Sequence, residues 1–410
     1  MDPKKNKPTG TKKVLITVVA AVAAAFSASA FEVNPFGTNL PPVDFHGLVS
    51  QGFLYSDKYN YLDTDTKDGS FRYSEAGVNA SMNPFPRTHV AIQGFMFDVG
   101  DAGKYEPFLD YASIDYTFND YIGVRGGRIR KPGGIYNAIQ DIDLARTYVL
   151  LPQGIYEARL RDLDATLDGG EIFGTLPLSK AGDLSYEVYG GVVNVSDESG
   201  LYDDINNSLS GGKVSSFGQF LESGCQLWWN TPLNGLRFGA SFCYVDNFDY
   251  NFTEPTGAAP PAPANLSLRA EGAIPIQQYS AEYLWKNWTF QAEFYDLQVG
   301  QDTISQFGKT HSYTAEYAWY ADASYRFNKW VEVGAYYMDC NTAGTPPAVS
   351  SDGFQKDLAL SIRFDPKPWW IFKVEGHYIH GTELLDDNGA NPSRNDDGWF
   401  MLVVKTTFSF

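Results

Sequence analysis

The property that most narrows what this chain can fold into is an alternation of apolar and polar residues. It begins near Val43 and returns, in segments of about ten residues, up to the final Phe410. A period of two marks a β-strand with two unlike faces, because successive side chains leave the backbone on opposite sides. The longest run is Tyr313 to Phe327. Tyr313, Ala315, Tyr317, Trp319, Ala321, Ala323, Tyr325 and Phe327 share one face, and Thr314, Glu316, Tyr320, Asp322, Ser324 and Arg326 share the other. Strands of soluble sheets mostly have about 3 to 10 residues, so this run is longer than a soluble sheet normally uses.

The same pattern sets Trp288, Phe290, Ala292 and Phe294 against Thr289, Gln291, Glu293 and Tyr295. It sets Leu358, Leu360, Ile362 and Phe364 against Asp357, Ser361 and Arg363, and Trp370, Phe372, Val374 and Tyr378 against Lys373, Glu375 and His377. Charges keep to one parity in each segment. Lipid on the apolar side explains that strictness, since a Lys or Arg facing lipid at the bilayer midplane costs about 2–4 kcal/mol. The predicted strands are 43–55, 71–82, 87–98, 107–118, 121–130, 165–176, 183–195, 218–230, 234–246, 276–286, 288–298, 313–327, 329–340, 355–365, 368–380 and 398–410, sixteen in all.

Their connections alternate. Compact turns of Asn, Pro and Gly, such as Asn83-Pro84-Phe85-Pro86 and Asp365-Pro366-Lys367, take turns with long polar segments: 56–70, 99–106, 131–164, 196–217, 247–275, 299–312, 341–354 and 381–397. Trp228, Trp229, Trp285, Trp288, Trp330, Trp369 and Trp370 lie within a few residues of the short turns, where an interfacial aromatic girdle belongs.

Residues 1–30 read as an export leader: Lys4, Lys5, Lys7, Lys12 and Lys13, then 13 residues from Val14 to Phe26, then Ala28-Ser29-Ala30. The 31–410 remainder holds no run of 18 apolar residues that a spanning helix needs. Hydrocarbon leaves no backbone group unpaired, so a strand-rich chain crossing it must close into a barrel. The formal charge of −18, without clustered Lys and Arg, speaks against a nucleic-acid partner. The fold expected is all-β, a transmembrane antiparallel β-barrel of about sixteen strands.

The last strand carries Phe400, Leu402, Val404, Phe408 and Phe410 on one parity and Lys405, Thr407 and Ser409 on the other. A terminal Phe preceded by alternating apolar residues resembles the assembly signal of Gram-negative outer-membrane barrels, here Phe408 and Phe410. Together with the leader, the sixteen strands and the long third connection, it makes the whole mature chain resemble the porin superfamily. The resemblance implies an outer-membrane channel for ions and small hydrophilic solutes. It also implies a homotrimer in contact with lipid and lipopolysaccharide, without a cofactor, and a third loop folded into the lumen.

That loop would be 131–164, which carries Ile135, Ile139, Ile142, Leu144, Tyr148, Val149, Leu150, Leu151, Ile155 and Tyr156, residues that need somewhere dry to pack. By the same resemblance, Asp141, Asp143, Arg146, Glu157, Arg159, Arg161 and Asp162 would line the constriction. A basic wall patch of Arg72, Arg87, His89 and Arg125, with Arg128 and Arg130 from the preceding strand, would face them. Charges in a narrow pore act strongly because the solute has shed much of its hydration. Elsewhere the lumen parity mixes signs: Glu187, Glu222, Arg237, Glu282, Glu293, Glu316, Asp322, Arg326, Glu332, Arg363, Lys373, Glu375 and Lys405. Ion selectivity stays open.

Other motifs read as plain structure. In Asp63-Thr64-Asp65-Thr66-Lys67-Asp68-Gly69, Lys67 stands where a calcium loop needs an oxygen, and the acids at Asp386, Asp387, Asp396 and Asp397 read as solvated loop. Cys225 and Cys243 lie on adjacent strands with opposite parity, so they are expected as free thiols with Cys340. His46, His89, His311, His377 and His380 show neither haem nor zinc spacing, and His377 and His380 read as an exposed strand end. Two other functions compete with the channel. One is a barrel sheath for a periplasmic or extracellular electron carrier; the other, a barrel enzyme, lacks a nucleophile with a positioned base.

Overall fold

The computed structural model describes residues 31–33, 41–100, 102–196, 199–209, 211–256, 265–343, 351–385, 391, 394 and 398–410, with the side chains of 31–33, 162 and 163 excepted. The leader and the acids at 386, 387, 396 and 397 lie outside the described residues. In chain order the strands are β1 (Phe31–Val33), β2 (Val43–Ser56), β3 (Tyr73–Phe85), β4 (Thr88–Val99), β5 (Phe108–Asn119), β6 (Ile122–Arg130), β7 (Thr166–Pro177), β8 (Asp183–Asn194), β9 (Lys213–Phe217) and β10 (Gln219–Asn230). They continue as β11 (Leu236–Asp246), β12 (Tyr250–Pro255), β13 (Asn265–Trp285), β14 (Trp288–Ser305), β15 (Gly308–Arg326), β16 (Val331–Thr342), β17 (Phe354–Lys367), β18 (Trp370–Gly381) and β19 (Gly398–Ser409).

Sixteen of these close an antiparallel barrel, each paired with its neighbour and β19 paired back onto β2, so no edge is left inside the bilayer. β1 continues the line of β19 along β2, pairing Val33 with Val43. Where the strands meet, Phe410 and Gly47 exchange both backbone hydrogen bonds, at 3.0 and 3.1 Å. A Cβ at Gly47 would sit 2.5 Å from the Phe410 ring, so the ring lies over the glycine at the seam.

Every predicted barrel strand is present, but three stretches read as loop continue the sheet. β13, β14 and β15 have 21, 18 and 19 residues, and β12 pairs with β9 on one side and with β13 on the other. Above the bilayer the outward parity no longer has to be apolar, as Gln298 on β14 shows. Backbone pairing then persists where hydropathy contrast has gone.

Parity holds through β17–β19. Leu358, Leu360, Tyr378 and Phe400 are exposed outward, while Asp357, Arg363, Lys373, Glu375 and Lys405 are buried inward. Trp229, Trp285, Trp288 and Trp330 are exposed near the short turns. Trp228 corrects the girdle reading: it is buried on the inward parity, with the Arg237 guanidinium 4.2 Å from its ring. Cys225 lies opposite Phe242 and Cys243 opposite Gly224, so the two thiols are on different faces, and all three cysteines are free.

Candidate pore lining and the loop at 131–164

From Lys131 the chain leaves β6 in short 3-10 turns at Asn137–Ile139, Asp143–Ala145 and Ala158–Leu160. It returns to β7 through a helical turn at Arg161–Asp164. An irregular segment leaves its backbone groups unpaired, and buried ones need partners. Inward-facing side chains of the wall supply them. Gln226 Nε2 donates to Gly134 O at 2.7 Å, and Ile135 N donates to Glu293 Oε1 at 2.9 Å. Arg363 donates to the carbonyls of Leu144 and Arg146, and Lys373 to those of Asp143 and Tyr148. The amides of Val149 and Leu150 both donate to the Glu375 carboxylate, at 2.7 and 2.9 Å. The apolar residues Tyr148 to Leu151, Ile155 and Tyr156 then pack against Tyr320, Tyr336, Met338 and Ile379 of the wall.

Asp143 is the main anchor. Its carboxylate lies 2.9 Å from Lys373 Nζ, 3.7 Å from Lys405 Nζ and 3.6 Å from Arg146 Nε, and accepts from Thr407 Oγ1 at 2.6 Å. Lys405 also reaches Glu75, at 2.7 Å. Burial alone would raise the Asp143 pKa, but Lys373, Lys405 and Arg146 outweigh it and hold the carboxyl well below the usual carboxylate range. A second anchor joins Arg161 to Asp141 and to Asp110, with Arg130 also on Asp110 at 3.0 Å. The Arg161 guanidinium lies over the Phe95 ring, 4.3 Å from its centroid. Asp110 enters this cluster because a β-bulge at Gln93/Gly94 of the β4–β5 pairing shifts the register between Leu109 and Tyr111.

These contacts change the expected picture of the constriction. Asp141, Asp143, Arg146 and Arg161 do not stand as free charges on a rim; all are buried and ion-paired. Glu157 pairs with Arg159, and the side chain of Asp162 lies outside the described residues. The wall patch also divides. Arg72 lies at the long-loop end on Asp63 and Asp98, and Arg87 is exposed in a short turn, donating to Phe118 O. Arg128 pairs with Asp168 on the outward parity, at 3.4 Å. His89, Arg125 and Arg130 do line the lumen. Arg125 is held by Asp115 at 2.9 Å and Glu171 at 3.1 Å.

What the loop turns to the open space is aliphatic: Ile142 is 41% exposed, Ala145 is exposed and Leu144 half-buried. Magnitudes explain the orientation. Burying an Ile or Leu side chain yields about 1.5–3 kcal/mol, whereas pulling one member from a buried ion pair costs about 3–5 kcal/mol. The acids therefore take the wall and the aliphatics take the water.

No family model matches the sequence, and no curated protein matches it. Solved structures do. The chain is similar to the OmpF of Salmonella typhi solved with daunomycin, at 12% identity and a TM-score of 0.56, over 93% of this chain and 100% of that one. It is similar to an anion-selective porin from Comamonas acidovorans, at 11% and 0.54, over 90% of this chain and 100% of that one. A trimer form of OmpT, an outer membrane protein of Vibrio cholerae, matches at 13% and 0.53, over 90% of this chain and 100% of that one. The fold is that of an outer-membrane porin. At these identities the porin fold is what is shared, and the side-chain arrangement belongs to this chain.

Within this barrel two groups escaped sequence reasoning. Glu75 shares Lys405 with Asp143, and strand parity alone would have placed it inward. His377 is no exposed strand end: it is buried between Asp357, 2.9 Å from Nδ1, and Glu375, 3.1 Å from Nε2, and so braces the carboxylate that holds Val149 and Leu150. Asp63 is buried against Ser70 and Arg72, a loop anchor rather than a cation ligand, and among the described residues no cluster of metal-binding type occurs.

Proposed function

We propose that this protein is a passive channel of a bacterial outer membrane, passing ions and small hydrophilic solutes, with 131–164 as the element that narrows the lumen. One observation carries the reading: an open space of about 630 Å³ lies between the tip of this loop and the inward faces of β3–β6 and β8, on the side that supplies fewer of the loop's anchors. Its wall includes Asn79, His89, Gln93, Ser113, Asp115 and Arg125, all hydrogen-bonding groups. A sixteen-stranded barrel is wide enough to enclose an aqueous channel. In this reading residues 1–30 direct export and are removed, the outward belt meets lipid and lipopolysaccharide, and three copies assemble, as the trimeric neighbour does. The test is single-channel conductance of the purified protein in a planar bilayer. Stepwise, long-lived openings in potassium chloride are expected, and a stable barrel that never conducts overturns the proposal.

A further inference from the structure

We infer that the passage favours solutes with an apolar body and a hydrogen-bonding edge, such as zwitterions with an aliphatic side chain, over fully hydrophilic solutes of the same size. This rests on the channel reading and names its solute class. The segment Asp141-Ile142-Asp143-Leu144-Ala145-Arg146 divides by contact: Asp141, Asp143 and Arg146 are buried, while Ile142 and Leu144 border the open space and Ala145 is exposed toward a separate one beside β13–β17. The exposure is enforced, because the backbone beneath the crest is held by Lys373 on Asp143 O at 2.8 Å and by Arg363 on Leu144 O at 2.7 Å.

The crest is continued at one end. Pro132 and Ala138 line the same space as Ile142. Leu144 also borders a second space toward the short-turn end, where Pro366, Pro368 and Ile371 stand among Lys329, Arg363, Asp365 and Lys367, so the apolar stretch of the loop side ends at Leu144. The facing wall is polar without strong net charge, since Arg125 is balanced by Asp115 and Glu171, and Arg130 by Asp110 and Asp141. A fully hydrophilic solute gives up water against a crest that offers no hydrogen bond. A solute with an alkyl face removes apolar area from water instead, and its polar edge finds the wall.

The experiment measures entry of L-leucine and L-asparagine, zwitterions of nearly equal size, into liposomes carrying the full protein. Leucine is expected to enter about threefold faster, below the roughly tenfold that a fully enclosed methylene group gives. Ile142→Thr with Leu144→Asn should bring the ratio to about one, and Ile142→Val with Leu144→Val should keep it. Equal rates in the unaltered protein, or a ratio that survives Ile142→Thr with Leu144→Asn, overturn the inference. Conductance in potassium chloride separates the two proposals. A conducting barrel without the preference sinks only this inference, whereas a silent one sinks the channel reading.

Discussion

The two sides of the barrel wall are built differently. The side formed by β13–β19 sends long charged and aromatic side chains inward, among them Glu293, Tyr320, Tyr336, Arg363, Lys373, Glu375 and Lys405, and all of these are buried beneath the loop. The side formed by β3–β8 sets the smaller groups Gly77, Asn79, Gln93 and Ser113 among Arg125 and Arg130, and all of these border open space. The outward faces differ as well: β13–β19 are set with Trp285, Trp288, Phe294, Trp319, Tyr337 and Phe400, while β6–β8 bring Gly126, Gly170 and Gly190 into register. The β13–β19 wall supplies most of the partners that hold the loop, while the other wall holds it at Asp110 and Arg130 and borders the open space. Where that space lies is thus set by which side of the barrel supplies most of the partners for an irregular backbone, as much as by strand number.

Breaking the anchoring side should give the largest effect. Lys373→Met removes the ammonium from Asp143 and from two loop carbonyls, leaving a buried carboxylate short of a partner. A loss of about 3–5 kcal/mol in unfolding free energy is expected, read as a lower urea midpoint of the folded barrel. The released loop should also raise single-channel conductance. A variant with unchanged midpoint and conductance would mean that the loop is held elsewhere.

The Asp143 carboxyl offers a sharper version of the same test. Its pKa in the folded protein lies below that of the unfolded chain, about 3.9 for an Asp. A depressed carboxyl contributes stability that is fully present above the unfolded value and is lost as pH falls below it. The gap in urea midpoint between the unaltered protein and Asp143→Asn should therefore be constant from about pH 6 to 5 and close below about pH 4. A gap that closes between about pH 6 and 5 would contradict the ion-pair geometry.

On the passage side the expected effect is on selectivity more than stability. Arg125→Gln leaves Asp115 and Glu171 without their cation beside the open space. Under a salt gradient the reversal potential should move toward the cation value. The stability loss should be smaller than for Lys373, because Arg125 keeps 28% of its side chain in contact with solvent. An unmoved reversal potential would place the passage away from this wall.

Much of this contrast was legible in the sequence, for a physical reason. Lipid imposes one parity per strand, so Lys373, Glu375 and Lys405 could be placed inward from their neighbours Phe372, Val374 and Val404 alone. The strands beyond the barrel were not legible, because β9 and β12 have only 5 and 6 residues, too few for the alternation of Tyr250 and Phe252 with Asn251 to stand out from a loop. The orientation of Asp141-Ile142-Asp143-Leu144 was not legible either. The same residues suit a charged rim or an aliphatic crest, and what decides is Lys373, 230 positions away along the chain. Asp110 was hidden by a bulge, which shifts parity without a marker in composition.

The smallest effect is a chemical one, and it reads how the loop is held against the β13–β19 side. Cys225 faces outward on β10, whereas Cys340 is fully buried on β16 where Gly154 of the loop approaches it; a Cβ added at Gly154 would lie 2.9 Å from the Cys340 Cβ. A lipid-soluble maleimide should modify Cys225 in the membrane-embedded protein and leave Cys340 untouched. If the loop is tied down by Lys373, the Lys373→Met barrel should expose Cys340 to a water-soluble maleimide while Cys225 reacts as before. Cys340 that stays protected in a variant with raised conductance would show that the tip at Ile142 and Leu144 moves alone. The packing of Tyr148 to Tyr156 on the wall would then be self-sufficient, and the Asp143 anchor would set the width of the passage without holding the rest of the loop in place.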